Sequence, residues 1–155
     1  MMGGNVAENA GGPHAVKYGV TRDWVTGLEA VLADGSVFST GGKLRKDVSG
    51  YNLTQLLVGS EGTLAVITKI IVKLIPMPAH RRALVACFDE MEGAARAVVA
   101  VFEKKVIPAA VELMEEAAWR AGADHIGKHP LPAGHAAYLL MEVDGSHESV
   151  VDDEA

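Results

Sequence analysis
The chain has 155 residues, 49% of them hydrophobic and 22% charged, and a formal net charge of −6 with a pI near 5.5. That length suits one domain and that apolar share a real core. The acidic balance argues against nucleic acid as a partner and leaves no polybasic patch for an anionic membrane.

Cys87 is the only cysteine, so no internal disulfide can form and a reducing, cytoplasmic setting is expected. It lies in the apolar run 83–88 and reads as a small core hydrophobe. No apolar run reaches the ~18 residues of a membrane helix, and no basic-then-apolar leader opens the chain. Met1 to Gly4 enters directly into what reads as a loop, and Ser149 to Ala155 stops within the first turns of a helix. Neither end has the form of an exposed linker, so the expectation is a piece of a longer protein.

Residues 3–19, rich in Gly, Ala and Asn, are expected to form a loop where backbone can be approached closely. Thr21–Val25 reads as a helical turn capped by Thr21. Gly27–Leu32 and Ser36–Ser39 alternate as strands around an Asp34-Gly35 hairpin turn. Residues 40–50 are loop. Asn52–Val58 follows as a short helix with Leu53, Leu56 and Leu57 on one side. Gly59-Ser60-Glu61-Gly62 is a tight turn into the β-branched run Thr63–Ile75, predicted as a mostly buried strand bent near Thr68-Lys69.

Pro76–His80 is the best linker candidate. Beyond it the spacing predicts a strand at 83–88 and a helix over 90–105 with Ala94, Ala95, Val98, Val99, Val101 and Phe102 on its apolar face. A strand near 109–113, a helix over 114–121, a loop through Gly134, a strand at 136–143 and a helix start complete the chain. This order predicts an α+β layer with helices on one face of a sheet.

No dinucleotide glycine fingerprint, phosphate loop, nucleophile elbow or zinc-protease pattern is present. His125, His129 and His135 share one polar loop, where solvent-facing histidines are a simpler reading than a metal site. Glu112, Glu115 and Glu116 read as the wet face and acidic first turn of a helix rather than a carboxylate cluster. Two turns rich in small residues remain, Asn9-Ala10-Gly11-Gly12 and Ser60-Glu61-Gly62-Thr63. Consecutive bare N–H groups in such turns make concave binders of anions and carbonyls.

Taken in order, the run Gly3 to Gly12, then Lys17-Tyr18-Gly19, then Gly59 to Thr68 resembles the second half of the flavin domain of FAD-linked oxidases of the vanillyl-alcohol-oxidase or para-cresol-methylhydroxylase type. The branch holding the flavin subunit of glycolate oxidase and the D-lactate and D-2-hydroxyglutarate dehydrogenases is the most similar. Pro13-His14 tilts the likeness toward glycolate oxidase, and Phe88-Asp89 and Val111 to Met114 look like the start of that family's substrate domain. The resemblance implies an α+β chain in two parts. Residues 1–78 would be the C-terminal part of the FAD-binding domain, and 79–155 the start of an α+β substrate, or cap, domain.

By the same resemblance, Glu8, Asn9, Ala10 and Gly11 wrap FAD, and Gly12 and Gly19 allow the sharp turns that keep the loop against it. Glu61, Gly62, Thr63, Leu64, Ala65, Val66 and Ile67 would lie along the adenosine side. The family usually has glycine at position 65, so the Ala65 methyl is expected to crowd the nucleotide. The family's upstream phosphate loop and its downstream His-containing segment are not in the chain, so no catalytic and no metal-binding residue is assigned. The implied parent reaction is oxidation of a small (R)-2-hydroxy acid to the 2-oxo acid, with other oxidase subunits or a second copy as partners. The competing reading is an inactive module that folds through residues 83–143 and pairs without flavin.

Overall fold
The computed structural model describes residues 1–127 and 134–155. They divide into two compact units, one of Met1–Gly12 with Gly19–Pro76, the other of Pro13–Tyr18 with Met77–Ala155. Both mix helices with antiparallel sheet, the α+β class that the element order predicts.

The first unit is a three-stranded sheet of order β2-β1-β3, with β1 at Val25–Val31, β2 at Val37–Gly41 and β3 at Val66–Val72. Asp34-Gly35 does turn the β1–β2 hairpin. Gly35 takes a φ of +85°, and the Asp34 carboxylate accepts from the Ser36 amide at 2.9 Å. Two register shifts break the β1–β3 ladder, one between Val25 and Gly27 and one between Glu29 and Ala30. Their effect is to realign the apolar positions. Val25, Leu28 and Ala30 all turn to one face, although strict alternation would separate Val25 from the other two. Opposite the second shift Thr68 is the extra residue, so Ile67 and Ile70 both pack on that face. The bend expected near Thr68-Lys69 is this bulge.

On the same face lies α1, Met2–Glu8, and α3, Leu53–Leu57, brings in Leu57, followed by Val58. Val6 is wholly buried, and with Val25, Leu28, Ala30, Leu57, Val58 and Ala65 it forms the core. Each fully buried Val or Leu side chain is worth about 1.5–3 kcal/mol. The helix α1 replaces part of the loop predicted over 3–19. Two glycines weigh against a helix by roughly 1 kcal/mol each, but burial of Val6 offsets this.

Three further expectations for this unit change. Thr21 begins a 3-10 turn, Thr21–Asp23, but does not cap it; Asp23 accepts from the Val20 amide instead. Leu53 and Leu56 are exposed, and α3 buries Thr54 and Leu57. No residue of β3 is fully buried, because it is an edge strand packed on one face.

In the second unit, β4 (His80–Phe88), β6 (Ala137–Gly145) and β5 (Ala110–Glu115) form an antiparallel sheet with β6 in the middle. Helices α4 (Met91–Glu103) and α6 (Glu148–Glu154) meet Met141, Val143 and Gly145 on one face. Helix α5 (Glu116–Ile126) stacks Trp119 on Tyr138 at 4.9 Å on the other, beside the turn α2 (Ala15–Tyr18). The prediction of helices on one face is therefore corrected: β6 is sandwiched, which is why Ala137, Tyr138 and Leu139 are buried in succession. Helix α4 buries only Ala94, while Ala95, Val99 and Phe102 face solvent. Cys87 is half-buried on β4.

Candidate functional site
The first small-residue turn is built by the end of α1. Asn9 takes the left-handed conformation at φ 52°. Its amide bonds Val6 O at 3.2 Å and the Ala10 amide bonds Asn5 O at 2.9 Å, a Schellman closure of the helix. Asn9 suits this place because its short polar side chain tolerates that conformation and accepts from the Arg22 amide at 2.8 Å. Ala10 O accepts from both the Thr21 amide and its hydroxyl, at 3.1 Å and 2.7 Å.

The second turn, 59–63, docks on the first. Gly59 N donates to Val6 O at 3.0 Å and Glu61 N to Ala7 O at 2.8 Å. These bonds use carbonyls near the end of α1 that have no partner inside the helix. Gly59 has a φ of +82°, which favours glycine, and a Cβ there would stand 3.2 Å from Asn9 Cβ, a tight contact. Glu61 is itself left-handed at φ 53°. The two bends, some fifty positions apart in sequence, thus share one edge of the first unit.

Among the described residues the amides of Gly11, Gly12, Gly62 and Leu64 donate to no protein acceptor. Glu8, Gly11, Gly12, Glu61, Gly62, Thr63, Leu64 and Val66 are exposed, and Asn9, Ala10, Gly19 and Ile67 half-buried. Thr63 folds its hydroxyl back onto Ser60 O at 2.6 Å. Ile67 packs toward the core and Ala65 is 6% exposed within it. The Ala65 methyl therefore points into the protein, not onto the surface of the bends.

Two residues of interest escaped the sequence reading. Ser60 Oγ is buried without a hydrogen-bond partner among the described residues, an uncommon state for a hydroxyl. Arg22 spans both bends: its amide is on Asn9, and its guanidinium donates to Val58 O at 3.0 Å. It also lines a cleft of about 700 Å³ in this unit with Arg45, Asp47, Tyr51 and Lys73. The bends themselves form no wall of that cleft.

The other sequence candidates separate. Glu112 lies on β5, within the strand predicted near 109–113 and not on a helix face, and Glu115 ends β5 instead of standing in the first helical turn; Glu116 opens α5 and pairs Arg120 at 2.6 Å. His125 is exposed near the end of α5, His135 pairs Asp89 at 2.9 Å, and His129 lies outside the described residues. Among the described residues no three metal-ligating groups converge, and no helix is long and apolar enough to cross a membrane.

Residues 77–155, half of the chain, match the family model for FAD linked oxidases, C-terminal domain. The chain belongs to the FAD-linked oxidase family. Residues 1–41 match a second model, FAD binding domain, and FAD is the cofactor of the family. The glycolate oxidase subunit GlcD of Bacillus subtilis is 48% identical over 96% of the chain, which spans 32% of that protein. The D-lactate dehydrogenase of Archaeoglobus fulgidus is 45% identical over 96% of the chain and 33% of its own length. This chain therefore spans about a third of its curated relatives. An alkyldihydroxyacetonephosphate synthase structure shares the fold with a TM-score of 0.75 at 20% identity, over 99% of this chain and 31% of that one. A p-cresol methylhydroxylase structure matches 84% of this chain and 30% of its own, with a TM-score of 0.61 at 19% identity.

Proposed function
We propose that residues 1–78 close the FAD-binding domain and residues 79–155 open the substrate domain of a flavin-dependent enzyme. That enzyme oxidises a small (R)-2-hydroxy acid, of the glycolate or D-lactate type, to the 2-oxo acid. The single observation that carries the reading is the docking of the 59–63 turn on the end of α1, which joins two bends whose Gly11, Gly12, Gly62 and Leu64 amides donate to no protein acceptor among the described residues. The names of the relatives support the substrate class.

A flavin nucleotide fits these residues by its polar parts. Amides without side chains can reach phosphate and ring-edge oxygens closely. The unpartnered Ser60 hydroxyl offers one more polar contact. Glu8 and Glu61 repel phosphate and suit sugar hydroxyls, while Arg22, bonded to Asn9 through its amide and to Val58 O through its guanidinium, supplies a cation beside the bends. β3 is an edge strand, so its outward backbone groups remain open for an adenine edge. When bound, FAD supplies the hydride acceptor, and the protein supplies position and electrostatics. This chain's part is to hold the cofactor; the proton-accepting base and the carboxylate-binding cation are assigned elsewhere in the parent. The word "subunit" in the name of one relative supports assembly with further chains.

A chimera tests this. This chain replaces the matching third of the Archaeoglobus fulgidus D-lactate dehydrogenase. It is expected to purify with stoichiometric FAD and to oxidise D-lactate or glycolate. A chimera that folds but cannot be loaded with FAD refutes the cradle. One that carries FAD yet acts on neither acid refutes the substrate class.

A further inference from the structure
Between the two stretches expected at the flavin, the chain makes an excursion. Residues Pro13–Tyr18 belong to the second unit, while Gly12 before them and Gly19 after them belong to the first. The base of the excursion is closed by Thr21 on Ala10 and Arg22 on Asn9. Its tip is the single turn α2, which places His14, Lys17 and Tyr18 at i, i+3 and i+4, on one side. Strand β6 carries Glu142 and Asp144 two residues apart, hence on one face.

These two faces meet. Lys17 Nζ donates to Asp144 Oδ1 at 2.6 Å and to Asp144 O at 2.6 Å. The Tyr18 hydroxyl is 2.8 Å from both carboxylate oxygens of Asp144. His14 Nε2 is 3.2 Å and Arg81 Nε 3.1 Å from Glu142 Oε1. The Asp144 side chain is only 3% exposed, whereas His14 and Arg81 lie in solvent, where ion pairs contribute little. Asp144 is the anchor.

We infer that Asp144 is a positioning residue: through Lys17 and Tyr18 it pins the tip of the 10–21 loop and so holds Gly11, Gly12 and Gly19 ready for the cofactor. This rests on reading the bends as a flavin cradle. Glycine loses more freedom on ordering than any other residue. With the tip pinned, part of that ordering, at the residues joined to it, is met before a ligand arrives. With the tip free, it must be met on binding, and affinity falls.

The test is amide hydrogen exchange on the full 155-residue chain without flavin, comparing Asp144→Asn, Lys17→Met and Tyr18→Phe with the parent. Exchange of the Lys17, Tyr18 and Val20 amides, which have acceptors, is expected to accelerate about tenfold or more while β1 and β3 are unchanged, and Lys17→Arg should keep most of the protection. Equal protection in parent and variants overturns the inference, as does full exchange of these amides in the parent. Should Asp144→Asn not fold, Lys17→Met and Tyr18→Phe, both altered at partly exposed side chains, decide the matter. In the chimera, Asp144→Asn is expected to weaken FAD by roughly tenfold. Lost protection with unchanged FAD affinity would refute the flavin assignment of the bends and leave the clamp standing.

Discussion
Gly19 carries a heavy conformational demand. It sits at φ +74°, and an added Cβ would fall on the Asp23 carboxylate, the group that accepts from the Val20 amide. Gly19→Ala is expected to cost about 1–3 kcal/mol, seen as a lower urea midpoint, with partial recovery when Asp23→Ala is added. Tyr18 gives a pH signature. Burial, then the hydrogen bond to Asp144 and its charge, push the phenol from 10.0 up to about 12. A raised folded value means the contribution is whole below about pH 10 and is lost as pH rises through about 12. The stability gap between parent and Tyr18→Phe should therefore close over that window; a gap constant with pH refutes it. For Asp144 burial works upward, but hydrogen bonds from Lys17 and Tyr18 outweigh it and hold the carboxyl below the ordinary 3.8. Its contribution is present above that value and is lost as pH falls through the lower, folded one. At this scale the sequence marked the small residues of both bends, since residue type alone suggests bare amides. It could not mark Arg22 or Ser60, whose interest depends on neighbours such as Val58, 36 positions from Arg22.

At the scale of elements, a buried hydroxyl pair ties α3 to β2: Thr40 Oγ1 and Thr54 Oγ1 are 2.7 Å apart. Replacing either threonine by valine strands the other hydroxyl and should cost about 1–3 kcal/mol, and the double variant less than the sum. Additive costs in a double-mutant cycle would show the pair uncoupled. The bulge at Thr68 is open to a test by deletion. Without Thr68, Ile67 and Ile70 would stand two apart and keep one face by plain alternation, so a Thr68 deletion should still melt cooperatively, and loss of cooperative melting would show that Thr68 is not the extra residue. The hairpin and the β3 bend were legible, because Asp-Gly and a break in alternation are local signals. Helix α1 was not, because its Gly-Gly start speaks against a helix and only burial of Val6 speaks for it. The exposure of β3 was hidden too: a run of Val and Ile records apolar character, not how many neighbours cover it.

For the whole molecule, the fold class and family were readable from motif order, since spacing over many residues carries more information than any one turn. Cofactor retention was not, because it depends on residues beyond the two bends. The chain alone is expected to purify without a flavin absorbance band. A yellow preparation would contradict this, and a flavin-free stable dimer on size exclusion would favour the non-enzymatic module.

The backbone passes from one unit to the other after Gly12, Tyr18 and Pro76, so cutting at the proline-rich junction does not yield two self-sufficient halves. A polypeptide of residues 77–155 would keep the Asp144 carboxylate and the Arg81 charge but lose the Lys17 ammonium and the Tyr18 hydroxyl that bond it, at a cost of about 3 kcal/mol. Such a half should gain stability on mild acidification, the reverse of the parent, because taking up a proton relieves a buried anion stripped of its hydrogen bonds.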